Sequence, residues 1–406
     1  MKMMNEATRE FVREHRDDDV RQLALRGTKD PEVDLAMALQ QIDGRKRAQE
    51  KLPSWAAVEG IVWPPHLSME QCSSEQTARY KAEVAGSGGV FVDLTAGFGV
   101  DAAFIAQGVQ KAVAVELQAE LCAISSENFK HLGLHQIEVV NGNGVDYLYR
   151  MFPADLVFID PARRDEHGGR TYGIADCTPN VLDFIDKLLE KAQRVMIKLS
   201  PMLDWRKAVE DIGKQYVSAV HIVSVNNECK ELLIEVKSER VKSEKSRIGG
   251  QRVVCVNLLS DGGRECFEFD ADAPSPERSF HPLTFLPFHL LYSPNASVMK
   301  AGCFDEIEAR FPLMQLDKNS HLFVSDQEIT DFPGRRFRIE RTTSMNKREL
   351  KTALIGIDRA NITVRNFPLS VAELRKRLKL KDGGDVYLFA TTVAGEGHQL
   401  FICRKC

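Results

Sequence analysis

The chain has 406 residues, of which 43% are hydrophobic and 28% charged, and its formal net charge is -4. These proportions are typical of a soluble globular protein and exclude a disordered or fibrous chain, and the length predicts two or three domains. No run approaches the about 18 apolar residues of a membrane span, and the first residues lack the apolar core of a signal peptide, so we expect a cytoplasmic protein.

The nine cysteines are an odd number without a pairing rhythm, which fits reduced thiols better than a disulfide framework. Cys403 and Cys406 have the spacing of two zinc ligands. A structural zinc site needs a second pair of ligands, and none accompanies them in the sequence. We therefore expect no metal and an ordinary chain end.

The first part of the chain, residues 1–85, alternates polar and apolar positions at helical spacing. One example is the stretch 33–39, which follows the helix start signal Asp30-Pro31. Ser74 precedes another helical pattern as an expected cap. We predict an N-terminal helical domain over 1–85.

Residues 86–238 alternate short apolar runs with helical patterns. The predicted strands are 90–94, 111–116, 137–141, 155–159 and 194–199. Such alternation predicts an α/β fold with a doubly wound, Rossmann-like parallel sheet. Two further strands, 218–225 and 231–236, are separated by only five residues. No crossover helix fits there, so this pair must be a terminal antiparallel hairpin.

The first strand of this sheet ends in an acid, Asp93, and continues into the glycine loop 95–99 and a helix from 100. Glycines let a backbone approach a ligand closely, and a helix N-terminus favours negative charge. Gly97, Gly99 and Ala102 also match the dinucleotide pattern G-x-G-x-x-G/A, with Glu116 near the distance for a ribose contact. The loop alone leaves a nicotinamide dinucleotide open.

Three further features favour another cofactor. Asp93 suits an ammonium better than a pyrophosphate, Asp146 stands past the third strand where it can accept from an adenine amine, and the terminal hairpin is foreign to the dinucleotide fold. Together these features resemble class I methyltransferases that use S-adenosylmethionine, over roughly residues 70–238. The resemblance implies that the first acid and the glycine loop hold the methionine end, the strand-two acid binds the ribose hydroxyls, and the loop after strand three meets adenine. The implied cofactor-binding residues are Asp93, Thr95, Gly97, Gly99, Glu116 and Asp146.

The apolar run 156–159 ends abruptly in Asp160-Pro161-Ala162-Arg163. This stretch occupies the position where amino-methyltransferases of the same superfamily carry Asn or Asp, two prolines and an aromatic residue. There the acid and a neighbouring carbonyl accept hydrogen bonds from the target amine. The fourth residue departs from that pattern, and Arg163 can stack on a base or grip a phosphate. We predict Asp160, Pro161 and Arg163 as catalytic residues; the alternative for Asp160 is a cap of the turn, paired with Arg163 or Arg164.

The same stretch resembles methyltransferases that modify carbon five of uracil, which need a cysteine after strand five. Here that place reads Lys198-Leu199-Ser200-Pro201, without a thiol, so this route is disfavoured. The loop 168–173 is long enough to close over a substrate, and Tyr172 is a second candidate for an aromatic contact.

The remainder divides into two parts. Residues 239–334 form a linker hairpin and a small α+β unit, in which we predict one helix near 297–310. Residues 335–406 form an α+β domain, in which 361–365 is a predicted strand. The segment 335–381 holds 14 Lys or Arg and four Asp or Glu, a charge of +10, so the rest of the chain carries -14. A basic patch on an acidic protein is the electrostatic footprint of a nucleic-acid contact, although a solvated helical surface can look the same.

This last domain resembles the THUMP-like domain that follows the catalytic domain in a group of bacterial methyltransferases. The resemblance rests on 360–368, 378–384 and 387–392. THUMP domains bind RNA, so it implies a structured RNA substrate, tRNA or rRNA, held through 335–381. The leading hypothesis is an RNA methyltransferase acting on an exocyclic amine or ring nitrogen. A small-molecule or protein methyltransferase and a catalytically silent binding protein are the alternatives, and a nicotinamide oxidoreductase comes last. Whether the N-terminal helices touch RNA or complete the cofactor pocket stays open.

Overall fold

A computed structural model describes residues 4–163, 173–237, 250–274 and 289–406. Tyr172 and most of the loop predicted to close over a substrate, together with Arg164, lie outside the described residues. The chain forms two compact units: unit 1 comprises Met1–Val220 with Glu231–Gln251, and unit 2 comprises His221–Lys230 with Arg252–Cys406. None of the described helices combines the length and the apolar character needed to span a bilayer.

Unit 1 begins with helices, as predicted. Several begin at a side chain that accepts a hydrogen bond from a backbone N–H of the first turn, which satisfies one of the donors left free at a helix start; Asp34 and Ser74 are two such caps. The helices are α1 (Glu6–Glu14), α2 (Val20–Arg26), α3 (Leu35–Lys51), α4 (Pro53–Ala56), α5 (His66–Gln71) and α6 (Glu75–Ala85).

A doubly wound sheet follows in unit 1, and this confirms the predicted fold class. Its elements are β1 (Gly88–Asp93), α7 (Val100–Ala106), β2 (Val109–Glu116), α8 (Ala119–His131), β3 (Ile137–Asn141), α9 (Gly144–Arg150), β4 (Ala154–Ile159), β5 (Ala162–Arg163), β6 (Cys177–Thr178), α10 (Ile185–Lys191), β7 (Ala192–Leu199) and α11 (Trp205–Ile212). The parallel strands stand in the order β7-β4-β1-β2-β3. The apolar strand β4 is central and almost wholly buried, as a run without polar alternation predicts.

The N-terminal helices share the core of this sheet. Trp55 and Trp63 contact the ring of Phe98, which belongs to the glycine loop, with centroid distances of 5.2 and 6.2 Å. All three rings are buried in one hydrophobic cluster that also contains residues of α7 and β1. The glycine loop therefore packs on side chains that come from the first 85 residues.

The predicted terminal hairpin is present as β8 (Val217–Val225) and β9 (Glu228–Lys237), with β9 antiparallel to β7. Its connection is shorter than the five residues expected from the sequence. Asn226 and Asn227 form a two-residue turn with φ of 48° and 67°, the backbone that a primed hairpin turn requires. Residues 228–230 look like a loop in the sequence because they are polar, yet they extend β9 at its more exposed end.

Unit 2 contains an antiparallel pair and a mixed sheet. The pair is β10 (Arg252–Leu258) and β11 (Arg264–Asp270). The remaining elements are β12 (Leu290–Pro294), α12 (Ala296–Ala301), α13 (Phe304–Arg310), β13 (Met314–Gln315), β14 (Phe323–Ser325), β15 (Gly334–Ser344), α14 (Lys347–Ala353), β16 (Asn361–Arg365), α15 (Val371–Leu378), β17 (Val386–Val393) and β18 (Gly397–Lys405). The strand order of the mixed sheet is β13-β14-β12-β15-β18-β17-β16. The prediction of a single helix over 297–310 was wrong. The structure has two helices there, because Gly302 ends α12 in the left-handed conformation.

Candidate active site

The carboxyl edge of the parallel sheet gathers the acids that the sequence singles out. Asp93 ends β1, Glu116 ends β2, and Asp160 directly follows β4. Parallel strands present their carboxyl ends at one edge, which is where ligands bind in open α/β sheets. Three of the predicted site residues therefore lie at the edge where a ligand is expected.

Two of these acids hold the backbone of the glycine loop. Thr95 donates its backbone N–H to Asp93 Oδ1 at 2.9 Å, and Gly97 donates its own to Glu116 Oε2, also at 2.9 Å. Glu116 Oε1 accepts from Gln118 N at 2.7 Å, so each oxygen of this carboxylate carries one backbone hydrogen bond. Each oxygen keeps a second lone pair for a ligand hydroxyl. The loop and its two acids form one hydrogen-bonded assembly.

The two loop glycines have different surroundings. Gly97 has a φ of 56°, and a Cβ built on it meets no heavy atom within 4 Å. Gly99 has a φ of 83°, and its Cβ would lie 2.6 Å from Phe129 Cζ. Gly99 is therefore needed for packing, whereas Gly97 presents bare backbone to open space beside the loop.

Asp93 is a buried acid that forms no ion pair within the described residues. Its side chain is 1% exposed, and burial raises its pKa well above the usual value. The hydrogen bond from Thr95 N opposes this, while the negative charges of Asp101, Asp160 and Glu116 raise the pKa further. A positively charged ligand at this edge would offset both the cost of burying the negative charge of Asp93 and its repulsion by the neighbouring acids.

The chain after β3 closely approaches Leu94, the residue just before the glycine loop. A Cβ on Gly144 would lie 2.0 Å from the carbonyl oxygen of Leu94, so only glycine fits there. Asp146 follows in the first turn of α9, capped by Asn143, and is exposed. Its carboxylate has no hydrogen-bond partner among the described residues. The sequence alone carried no signal for the Gly144 contact.

Asp160 is attached to the glycine loop through its backbone. Its N–H donates to Thr95 Oγ1 at 2.7 Å, and its carboxylate Oδ2 accepts from Lys198 Nζ at 2.5 Å. The acid side chain remains 35% exposed. Pro161 is buried, and the backbone of Arg163 pairs with Cys177 in the short β5–β6 ribbon. The side chain of Arg163 lies outside the described part of the structure.

Lys198 is the functional candidate that sequence reasoning missed, because it was considered only as the place of an absent thiol. The register between β4 and β7 pairs Ile159 with Ile197, so the next residues on the two strands, Asp160 and Lys198, are neighbours. Burial works against the charge of Lys198, but Asp160 and two further acids outweigh it and hold the pKa of this lysine above its ordinary value. The sequence places Asp160 and Lys198 each at the end of a predicted strand, but only the strand order shows that these two ends are adjacent.

The two further acids, Asp101 and Glu231, also surround a second lysine. Lys81 Nζ lies 2.8 Å from Glu231 Oε2, 2.9 Å from Ser73 Oγ and 3.1 Å from Asp101 Oδ1. Lys81 is 0% and Glu231 3% exposed. Burial raises the pKa of Glu231, which Lys81 and Lys198 partly counteract. We call Ser73, Lys81, Asp101 and Glu231 the buried charge network.

Comparison with known structures decides the family. The crystal structure described as a "putative methyltransferase from Porphyromonas gingivalis W83" is 30% identical, and the match covers 98% of each chain with a TM-score of 0.85. The chain belongs to this methyltransferase family. Residues 334–405 match the THUMP domain-like family and residues 290–333 match a ferredoxin-like domain family. The predicted resemblance to class I methyltransferases with a C-terminal THUMP-like domain is confirmed.

Shorter matches involve parts of the chain. An rRNA methylase from Streptococcus thermophilus is 18% identical, covering 40% of this chain and 93% of its own, with a TM-score of 0.30. M. capricolum TrmK, solved with S-adenosylhomocysteine, is 14% identical, covering 43% and 74%, with a TM-score of 0.32. No curated protein sequence matches the chain.

Among the described residues, no group of three or more His, Cys, Asp or Glu is arranged to hold a metal ion. Within the terminal cysteine pair, Cys403 is buried in β18 and Cys406 is exposed. Burial raises the pKa of the Cys403 thiol, which works against the thiolate form that a metal ligand needs.

Proposed function

We propose that this methyltransferase uses S-adenosylmethionine to methylate a base nitrogen of structured RNA, tRNA or rRNA. The observation that carries the proposal is the 2.7 Å hydrogen bond from the Asp160 N–H to Thr95 Oγ1. It ties a partly exposed carboxylate, suited to accept from an amine, to the loop proposed to hold the cofactor. The THUMP domain-like match over 334–405 supports RNA as the substrate class.

The glycine loop and the two acids that hold its backbone fit this cofactor. Asp93 is a buried acid whose negative charge a cationic ligand would stabilise. Glu116 keeps lone pairs for ribose hydroxyls, and Gly97 leaves open space in which a ligand can approach the backbone closely. Thr95, Gly99 and Asp146 complete the proposed binding set. When bound, the cofactor would supply a methyl group, which the acceptor nitrogen takes with its lone pair as the carbon–sulfur bond breaks and its electrons stay on sulfur.

The chain's own contribution is to position the acceptor. The Asp160 carboxylate, with the carbonyl of Pro161, would accept the N–H hydrogens of the target amine and so direct the nitrogen lone pair toward the cofactor loop. Positioning of this kind supplies a large share of the rate in transfer reactions. The proton that the methylated nitrogen releases passes to water. Arg163 is proposed to stack on the target base or to bind a neighbouring phosphate.

Replacing Gly97 with alanine should abolish cofactor binding without unfolding the chain. The added methyl would enter the open space beside the loop, where the cofactor is proposed to lie. Gly133→Ala is a matched control, because Gly133 has a similar φ of 72° and equally open space but follows the far end of α8. Both variants carry the same backbone strain of about 1 kcal/mol. Calorimetry with S-adenosylhomocysteine should show lost binding for Gly97→Ala alone; equal affinities would contradict the proposed pocket.

The RNA contact is supported by exposed cations in the THUMP domain-like region. Lys347, Arg348, Lys351, Arg359, Lys376, Arg377, Lys379 and Lys381 are all exposed and make no ion pair within the described residues. In contrast, Arg336 and Arg375 are paired with acids at 3.3 and 2.6 Å. Unpaired lysines and arginines are available to neutralise phosphates, which supplies most sequence-independent affinity for RNA.

The deciding experiment is transfer of label from methyl-labelled S-adenosylmethionine to total RNA of a strain lacking this gene, followed by nucleoside mass spectrometry. We expect nuclease-sensitive label on this RNA and none on wild-type RNA, whose sites are already methylated. Transfer should fall about tenfold or more between 50 and 200 mM salt. No label, with cofactor binding intact, would favour a small-molecule or protein substrate or a silent binding protein.

A charge-reversal pair tests the proposed RNA surface within the same assay. Lys376→Glu with Lys379→Glu should weaken RNA binding and flatten its salt dependence. The control pair, Lys111→Glu with Lys130→Glu, makes the same change in net charge at exposed sites of unit 1. Equal losses in both pairs would show that only net charge matters.

A further inference from the structure

The contact between Lys198 and Asp160 sets which part of the acid can meet a substrate. Lys198 Nζ lies 2.5 Å from Oδ2, while the Asp160 side chain is 35% and the Lys198 side chain 14% exposed. A lysine hydrogen bond to one carboxylate oxygen leaves the other oxygen as the free acceptor. The backbone of Asp160 is fixed separately by Thr95 Oγ1. The two carboxylate oxygens are chemically equivalent, so whichever of them meets Lys198, the other stays free.

Lys198 is itself held in place and charged by its surroundings. It feels the negative charges of Asp101 and Glu231 in addition to Asp160. Those two acids are fixed by Lys81, which lies on α6, and by Ser73 just before that helix. Electrostatic interactions therefore link the buried charge network to Lys198, and Lys198 contacts the partly exposed acid at the sheet edge.

Resting on the proposed function, we propose that Lys198 is a positioning residue: it occupies Oδ2 of Asp160 and leaves Oδ1 as the acceptor for an N–H of the target base. Lys198 can only donate, so the free oxygen stays an acceptor throughout. The site therefore selects a nitrogen that carries at least one hydrogen, such as an exocyclic amine. A ring nitrogen with no hydrogen has nothing to donate to this oxygen.

The inference makes an unusual prediction for asparagine at position 160. An asparagine has one acceptor oxygen and one donor NH2 group. With Lys198 present, that single oxygen is drawn to the ammonium, and the NH2 group faces the substrate amine as a second donor. Asp160→Asn should therefore lose most of its activity, although amino-methyltransferases of the superfamily that this chain resembles carry asparagine at the same place. Removing the lysine frees the amide to turn its oxygen toward the substrate.

The test compares four proteins: wild type, Asp160→Asn, Lys198→Met, and the double variant Asp160→Asn with Lys198→Met. We expect kcat to fall by about a hundredfold in Asp160→Asn. The double variant should be about tenfold more active than Asp160→Asn alone, the equivalent of one regained hydrogen bond. Lys198→Met alone should lose about tenfold in kcat, since a carboxylate still accepts through either oxygen.

Binding measurements separate this role from a structural one. S-adenosylhomocysteine affinity by calorimetry and RNA affinity by filter binding should be unchanged in all four proteins. Lys111→Met is the control for the loss of a lysine. Lys111 lies near the start of β2, at the opposite end from Glu116, and forms an exposed ion pair with Glu138. Lys198→Leu provides a second apolar replacement if the methionine variant does not fold.

The outcomes are distinct. A double variant no more active than Asp160→Asn overturns the positioning role, and so does an Asp160→Asn protein with wild-type kcat. A wild-type chain that binds S-adenosylhomocysteine but methylates no RNA overturns the proposed function, and this inference falls with it.

Discussion

Replacing Asp160 with alanine should abolish methyl transfer while S-adenosylhomocysteine still binds. The acid contacts the glycine loop through its backbone N–H, which donates to Thr95 Oγ1 and is retained in alanine. The lost carboxylate is the group proposed to orient the acceptor nitrogen, and misplacement of a reacting group can cost about a hundredfold in rate. The measurement is single-turnover label transfer to RNA, with cofactor affinity measured by calorimetry on the same protein.

Asp155→Ala is the matched control on the same strand. Asp155 lies at the other end of β4, where its Oδ2 accepts from Val90 N at 2.7 Å and its Oδ1 from Gln193 Nε2 at 3.0 Å. Its removal should lower stability but leave methyl transfer intact at a temperature where the variant is folded. Wild-type rates in Asp160→Ala would show that another group orients the acceptor.

The position of Asp160 was predictable because its signals are local. An apolar run of β4 residues without polar alternation predicts a central buried strand, and Pro161 ends it. The strands β3 and β16 begin and end where the sequence predicts, at 137–141 and 361–365. In each case a short apolar stretch is bounded by polar or turn residues, and no distant contact is needed to define it.

The partners of these residues were not predictable, because they depend on contacts between distant parts of the chain. Lys81 and Glu231 are 150 positions apart, and neither stands in a motif. A lysine in a helical pattern is usually an exposed residue, whereas Lys81 is fully buried. Lys198 gained its meaning only from the register that sets it beside Asp160. Gly144 is similar, since its need for glycine arises from the Leu94 carbonyl.

The buried charge network also bears on the N-terminal helices, whose role the sequence left open. Ser73 and Lys81 come from the first 85 residues, yet both contact acids of the sheet region. Trp55 and Trp63 from the same part pack on Phe98 of the glycine loop. We infer that these helices support the candidate active site, through packing against Phe98 and through the charges that act on Lys198 beside Asp160.

Replacing Lys81 with methionine should therefore destabilise unit 1 by about 3–5 kcal/mol, the cost of removing one partner from a buried ion pair. Methionine preserves most of the side-chain volume, so the loss of stability measures the cost of leaving Glu231 and Asp101 buried without their cation. All three tryptophans of the chain, Trp55, Trp63 and Trp205, lie in unit 1, so tryptophan fluorescence during urea unfolding follows this unit. Lys130→Met, which removes an exposed partner of Glu127, should change little.

The pH dependence of the stability lost in Lys81→Met distinguishes its two causes, a buried acid left without its cation and the loss of side-chain packing. Burial already raises the pKa of Glu231, and Lys81 is its main counterweight. When the pKa of an acid is higher in the folded than in the unfolded chain, the acid lowers the stability of the fold as the pH rises above the pKa of the unfolded chain. Lys81→Met should thus be less destabilising at pH 5 than at pH 8, and a second change, Glu231→Gln, should recover part of the loss at pH 8. A loss that is equal at both pH values and unaffected by Glu231→Gln would mean that Lys81 stabilises the fold by packing and not by its charge.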